Sequence, residues 1–162
     1  MSARSQPATL LLAEDLEDDV FIMQRALKTA GILNPLAHVP DGRELCAYLT
    51  GSGQYQDRNR FPMPFLLFLD LKMPYRDGFE CLEFISRSPG LKQIPVVVLT
   101  SSAQQKDQTR AYKAGARTYL VKPPGPRDLL SVVDSLEPHF LGTCGYSPFL
   151  LADTKNQSGP PR

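Results

Sequence analysis

Apolar residues concentrate in three short runs, 9–13 (TLLLA), 65–69 (FLLFL) and 95–99 (PVVVL). Runs of this length, bounded by turn-forming residues and lacking alternation, are the pattern of strands covered on both faces. Between them the period changes. Val20, Met23, Leu27 and Ala30 recur at helical spacing and predict an amphipathic helix over 18–30, capped by Asp18 or Asp19 and stopped by Gly31. A short strand is expected over 35–39, a turn at Asp41-Gly42, and a short helix over 43–49 with Leu45 and Leu49 inward. Phe79, Leu82 and Ile85 share one face of a helix over 79–86, broken by Pro89-Gly90. The segment 103–114 reads as a polar helix with a weak hold on the core, stopped by Gly115. A strand over 117–121 and a helix over 126–137, with Leu129, Val132, Val133 and Leu136 on its apolar side, complete the pattern.

Strand and helix thus alternate five times. That alternation predicts an α/β fold: a five-stranded parallel sheet, doubly wound, with helices on both faces and right-handed crossovers. The stretch 51–64 holds Gly51, Gly53 and two prolines without a period, and reads as a surface loop. Residues 1–7 are expected to be a disordered lead-in, 8–138 the domain, and 139–162 an irregular tail, disordered over 156–162. In that tail Phe140, Phe149, Leu150 and Leu151 either pack back or contact a second subunit.

The whole chain has 162 residues, 42% hydrophobic and 22% charged, which suits one domain of a soluble globular protein. Its net charge of +1 gives no electrostatic case for nucleic acid or an acidic membrane. Cys46, Cys81 and Cys144 are odd in number and widely spaced, as expected of reduced thiols in a cytoplasmic protein. The first seven residues lack the apolar stretch of a signal peptide, and no run approaches membrane-spanning length.

Parallel strands bring their carboxyl ends to one rim, where ligands of such sheets bind. On that rim the sequence places Glu14 and Asp15, then Asp70, Thr100 and Lys122. Three carboxylates in one place repel one another and call for a cation. Hard oxygen donors favour magnesium, which binds through a few carboxylates, waters and phosphate oxygens. A phosphate on Asp70 would be neutralised by that metal and by the Lys122 ammonium, with the Thr100 hydroxyl bonding a phosphoryl oxygen. A carboxylate nucleophile forming an acyl phosphate is established covalent chemistry.

The motifs LLAED (11–15), FLDLKMPYRDG (68–78), VVVLTSS (96–102) and YLVKP (119–123) occur in that order. Thr100 lies 30 residues beyond Asp70, and Lys122 a further 22. With these motifs the chain, over about 8–138, resembles the receiver domain of two-component response regulators, whose fold is the flavodoxin-like arrangement. The resemblance implies that Asp70 is the phosphorylated aspartate. It makes Asp15 and Asp70 direct magnesium ligands, Glu14 a ligand through water, and the Lys72 carbonyl the remaining protein ligand. Thr100 and Tyr119 take the place of the switch pair. Lys122 takes that of the phosphate-binding lysine, and its bond to Pro123 is cis in this family. The acidic loop, the long 51–64 connection and the absence of an output segment after 138 are similar to the small stand-alone regulators that serve bacterial phytochromes. That likeness implies a sensor histidine kinase as phosphodonor, docking on the helix after Asp15. It implies output through a protein partner or phosphate relay, and allows a homodimer through the switch face. Lys72, and Ser101 and Ser102 beside the switch threonine, are expected to tune the loss of phosphate.

Two other functions fit parts of the pattern. An aspartate-nucleophile phosphatase also uses a strand-end aspartate and magnesium, but has a second aspartate where this chain has Lys72. A receiver-like scaffold that binds partners without phosphorylation would not need all five rim residues. A nucleotide-binding domain is disfavoured because no Gly-rich loop follows the first strand. His38 and His139 read as structural or surface residues off the rim.

Overall fold

The computed structural model describes residues 7–152; the expectations of disorder for 1–6 and for 156–162 lie outside them. The elements are β1 (Thr9–Ala13), α1 (Glu17–Ala30), β2 (Leu36–Val39), α2 (Gly42–Thr50), a 3-10 turn (Gly53–Tyr55), β3 (Pro64–Asp70), α3 (Gly78–Arg87), β4 (Val96–Thr100), α4 (Gln105–Lys113), β5 (Thr118–Val121) and α5 (Pro126–Cys144). The five strands form one parallel sheet in the order β2-β1-β3-β4-β5. β1, β3 and β4 fill its centre, and β1 and β4 are buried along their whole length, as their unbroken apolar runs require.

Alternate strand residues feed two cores, because successive side chains point to opposite faces. Leu10, Leu12, Leu66 and Phe68 meet Met23 and Leu27 of α1 and Leu129, Val133 and Leu136 of α5. Leu11, Leu67, Leu69 and Val98 meet Leu45 of α2, Leu82 and Ile85 of α3, and Ala111 of α4. The sheet is therefore doubly wound, with α1 and α5 on one face and α2 to α4 on the other. α4 buries only Ala111, which bears out its weak hold. No helix among the described residues is long and apolar enough to cross a membrane.

Helix starts reveal local chemistry. Asp41 and Asp77 cap α2 and α3, their carboxylates accepting from the amides of Glu44 (2.8 Å) and Glu80 (2.9 Å). The expected Asp18 or Asp19 cap of α1 is absent: the helix begins at Glu17 after Leu16, without a side-chain cap. Both aspartates lie in its first turn, where negative charge suits the helix dipole. Gly31 ends α1 in the left-handed conformation, φ 76°.

Two expectations are corrected. The last helix does not stop at Glu137 but runs to Cys144 with Pro138 inside it. Proline removes one intrahelical hydrogen bond. The apolar stripe nevertheless continues through buried Phe140, whose ring packs edge-on against Phe65 (5.5 Å between centroids) and Phe149 (5.8 Å). The chain then returns to the α1–β2 connection: the amide of Leu33 donates to the Leu150 carbonyl, and that of Ala152 to Gly31, both at 2.7 Å. Of the four apolar tail residues, Phe140 and Phe149 pack back on the core, while Leu150 and Leu151 stay exposed. The 51–64 connection is likewise more than a surface loop. Tyr55 is buried, its ring tilted against Tyr48 (5.1 Å between centroids) and edge-on to Phe61 (5.0 Å). Arg58 donates to the carbonyls of Tyr48 (2.7 Å), Leu49 (3.0 Å) and Phe61 (3.2 Å), so it satisfies the open end of α2.

Candidate functional site: an acidic notch at the strand ends

Strand register assembles the site. Ala13 lies opposite Leu69, so Glu14 and Asp70 emerge side by side; Thr100 lies opposite Val121, so Lys122 follows beside it. Glu14, Asp15 and Asp70 each offer a carboxylate oxygen within 4.8 Å of the others. Glu14 and Asp70 are buried, at 1% and 5% exposure, while Asp15 is exposed. Lys122 enters the notch from β5. Its Nζ stands 2.5 Å from Glu14 Oε2, 3.0 Å from Asp19 Oδ2 and 3.3 Å from Asp70 Oδ2. Backbone amides complete the set: Leu16 donates to Glu14 Oε1, and Lys72 to Asp70 Oδ1, each at 3.2 Å. The loop carrying Lys72 lies tight against the strand end. A Cβ at Gly78 would stand 2.6 Å from the Asp70 carbonyl oxygen, so only glycine fits there.

The electrostatics follow from crowding. Burial raises the Glu14 carboxyl to about 7, with the charge of Asp70 adding to it against the pull of Lys122. Burial likewise raises the Asp70 carboxyl, opposed chiefly by the Lys122 charge. Burial works against the Lys122 ammonium, but hydrogen bonds to Glu14 and Asp19 and the charge of Asp70 prevail and raise it. Three carboxylates thus contact one ammonium, and Asp15 adds a fourth negative charge beside Glu14 and Asp70. The excess negative charge, the hard oxygen donors and the exposed Asp15 at the mouth fit a divalent cation held by Glu14, Asp15 and Asp70.

Thr100 is 1% exposed and its Oγ accepts from the Ser102 amide (3.2 Å), leaving its hydroxyl proton to donate. Tyr119 is half-buried and donates to the Ser102 carbonyl at 2.6 Å, tying β5 to the loop that leaves Thr100. Ser102 Oγ donates to Asp107 (2.6 Å) at the start of α4, and Ser101 is exposed. The Lys122–Pro123 bond is cis, as the resemblance implies. Lys72 brings its amide to Asp70 and keeps its side chain exposed.

Sequence reasoning missed two members of this cluster. Asp19, read as a cap, holds Lys122 from α1. His38, read as a structural or surface residue off the rim, is structural but lies beside it: its Nε2 donates to the Glu14 carbonyl at 2.7 Å. Asp19 lies five residues after Glu14, one helical turn into α1, and that spacing was the available signal.

The family model for the response regulator receiver domain matches residues 10–134. Response regulator Rcp1 of Synechocystis sp. is 38% identical over 137 residues, covering 85% of this chain and 91% of that protein. The crystal structure of its Mn2+-bound form superposes with a TM-score of 0.67, over 85% of this chain and 96% of that one. The bacteriophytochrome response regulator AtBRR (34% identity, TM-score 0.71, 80% and 91% covered) is similarly close. So is the phosphorylated cyanobacterial phytochrome response regulator RcpA (34%, 0.68, 84% and 95%). With its acidic notch, strand-end lysine and β2-β1-β3-β4-β5 sheet, the chain belongs to the response regulator receiver family.

Proposed function

We propose that Asp70 accepts a phosphoryl group from a sensor histidine kinase, with magnesium held by Glu14, Asp15, Asp70 and the Lys72 carbonyl. The observation that carries this reading is the Lys122 ammonium 3.3 Å from Asp70 Oδ2, inside a notch of three convergent carboxylates. An Asp70 oxygen attacks phosphorus as the bond to the donor's imidazole nitrogen breaks. Lys122 and the Thr100 hydroxyl then stabilise the phosphoryl oxygens. Bound magnesium supplies the remaining charge neutralisation. Glu14 and Asp19 position Lys122, and the Lys72 amide orients Asp70.

Thr100 and Tyr119 transmit the change. A phosphoryl group that draws the Thr100 hydroxyl shifts the 100–102 backbone, and the Tyr119 hydroxyl is bonded to that backbone. The phytochrome regulators among the relatives support a phytochrome as the kinase. Acceptance and loss of phosphate are stoichiometric here, a switch and not a turnover enzyme. Lys72 in place of a second aspartate supports this over the phosphatase reading. Free Cys46, Cys81 and Cys144 support a cytoplasmic setting. The test is incubation with magnesium and acetyl phosphate, followed by intact-protein mass spectrometry. One phosphate is expected on the protein and none on Asp70→Asn. Phosphate released over many turnovers would overturn the switch in favour of a phosphatase. Absence of an adduct with acetyl phosphate and with any histidine kinase would leave a scaffold.

A further inference from the structure

The turn that carries Glu14 and Asp15 is held by a side chain outside every rim motif. Strand register sets His38 of β2 opposite Leu12, two residues short of Glu14. Its ring leans along the sheet toward the strand ends, and Nε2 donates to the Glu14 carbonyl at 2.7 Å. The acceptor is a carbonyl, so Nε2 is the nitrogen that carries the proton. We propose that His38 is a positioning residue for the divalent cation: it fixes the peptide between Glu14 and Asp15, and so sets where both carboxylates point.

The end of the β1–β2 ladder shows why a side chain is needed there. Pairing of the two strands stops at Ala13 and Val39, and the Glu14 amide makes the last backbone bond, to the Val39 carbonyl at 3.1 Å. One step further along a parallel ladder, the Glu14 carbonyl would accept from the amide of Asp41. By then the chain has left the sheet at Pro40, and Asp41 caps α2. The imidazole takes the place of the missing amide. With both bonds made, β2 grips the Glu14 backbone at its amide and at its carbonyl.

The consequence is largest for Asp15. The Glu14 carboxylate has holds of its own, from the Leu16 amide (3.2 Å) and the Lys122 ammonium (2.5 Å). The exposed Asp15 side chain has no hydrogen bond among the described residues, so its direction follows from the peptide before it. Rotation of that peptide would swing the Asp15 carboxylate away from the Glu14 and Asp70 oxygens that now lie within 4.8 Å of it. Groups that orient a metal ligand bear on affinity almost as the ligand does. Without a cation the same rotation costs little, because a carbonyl released at the surface bonds water. His38 is itself exposed, so its bond matters more to the bound cation than to the stability of the fold.

The role of His38 rests on the cation reading of the notch and not on phosphorylation. Full-length protein is titrated with Mn2+, a spectroscopic stand-in for magnesium, with no phosphodonor present, and free Mn2+ is read by electron paramagnetic resonance. His38→Ala and His38→Phe remove the donor, and each should bind Mn2+ roughly tenfold more weakly. His38→Gln, whose amide nitrogen lies about as far from Cβ as Nε2 does, should restore most of the affinity. His139→Ala is the control and should bind as wild type does. Urea unfolding in EDTA should leave His38→Ala close to wild type. A folded His38→Ala with wild-type affinity, or Gln and Phe variants that weaken binding alike, overturns the proposal. So does a Gln variant that restores metal-free stability but not Mn2+ affinity, because the bond would then be merely structural. Absence of Mn2+ binding in wild type overturns the cation reading, and the role of His38 with it.

Discussion

Removing divalent cations from this protein should make its stability fall as pH rises through neutrality. In the metal-free notch the Glu14 carboxyl is raised from 4.5 to about 7. A group whose folded value lies above its unfolded one contributes stability below the unfolded value, and loses it as pH rises through the folded value. At about 1.4 kcal/mol per unit, the Glu14 contribution between pH 5 and pH 8 is about 2 to 3 kcal/mol. Asp70, raised in the same direction, adds to it. For a chain of this size about 2–4 °C accompany each kcal/mol, so the melting temperature in EDTA should drop by roughly 5–10 °C across that range. Excess magnesium at pH 8 should restore much of it; a hundredfold excess over the dissociation constant contributes about 2.7 kcal/mol. Scanning calorimetry of wild type and Glu14→Gln, in EDTA and in magnesium, measures all of this, and the variant should lose most of the slope. A melting temperature in EDTA that is flat or rises from pH 5 to pH 8, or a variant that keeps the full slope, would refute the burial argument.

Lys122→Gln leaves Glu14 and Asp70 buried without their cation. Chemical denaturation should show the metal-free variant about 3 kcal/mol less stable, recovering in magnesium, with labelling by acetyl phosphate greatly reduced. Tyr119→Phe deletes the 2.6 Å bond to the Ser102 carbonyl. It should cost about 1 kcal/mol in urea unfolding and leave phosphoryl uptake intact while weakening partner binding, measured by calorimetric titration of the phosphorylated form. Arg58→Met strips the Arg58 donor from two carbonyls at the end of α2, Tyr48 and Leu49, and from that of Phe61. A loss of about 2 kcal/mol is expected in the same unfolding assay, with normal labelling.

The five-strand alternation, the two-sided burial of β1 and β4, and the rim set Glu14, Asp15, Asp70, Thr100 and Lys122 were legible because each rests on local pattern. Short apolar runs admit few structures, and a residue that ends a parallel strand is placed by chain direction alone. The length of α5 was not legible. Pro138 is a local stop signal, and its neutralisation by Phe140 packed on Phe65 and Phe149 depends on residues far apart in sequence. The order inside 51–64 was hidden for the same reason: Arg58 and Tyr55 act on α2, and no period announces it.

Which residues reach the rim can be read along the chain, because strand direction and termination are written in neighbouring side chains. How they are held depends on contacts between elements. Asp19 reaches Lys122 from α1, His38 reaches the Glu14 backbone from β2, and Arg76 reaches Cys46 from the loop after Asp70. The difference is one of range. Hydrophobic periodicity acts over a few residues along one element, whereas charge pairing and hydrogen bonding act through space between elements, and their partners exist only once the sheet has brought its edges and loops together.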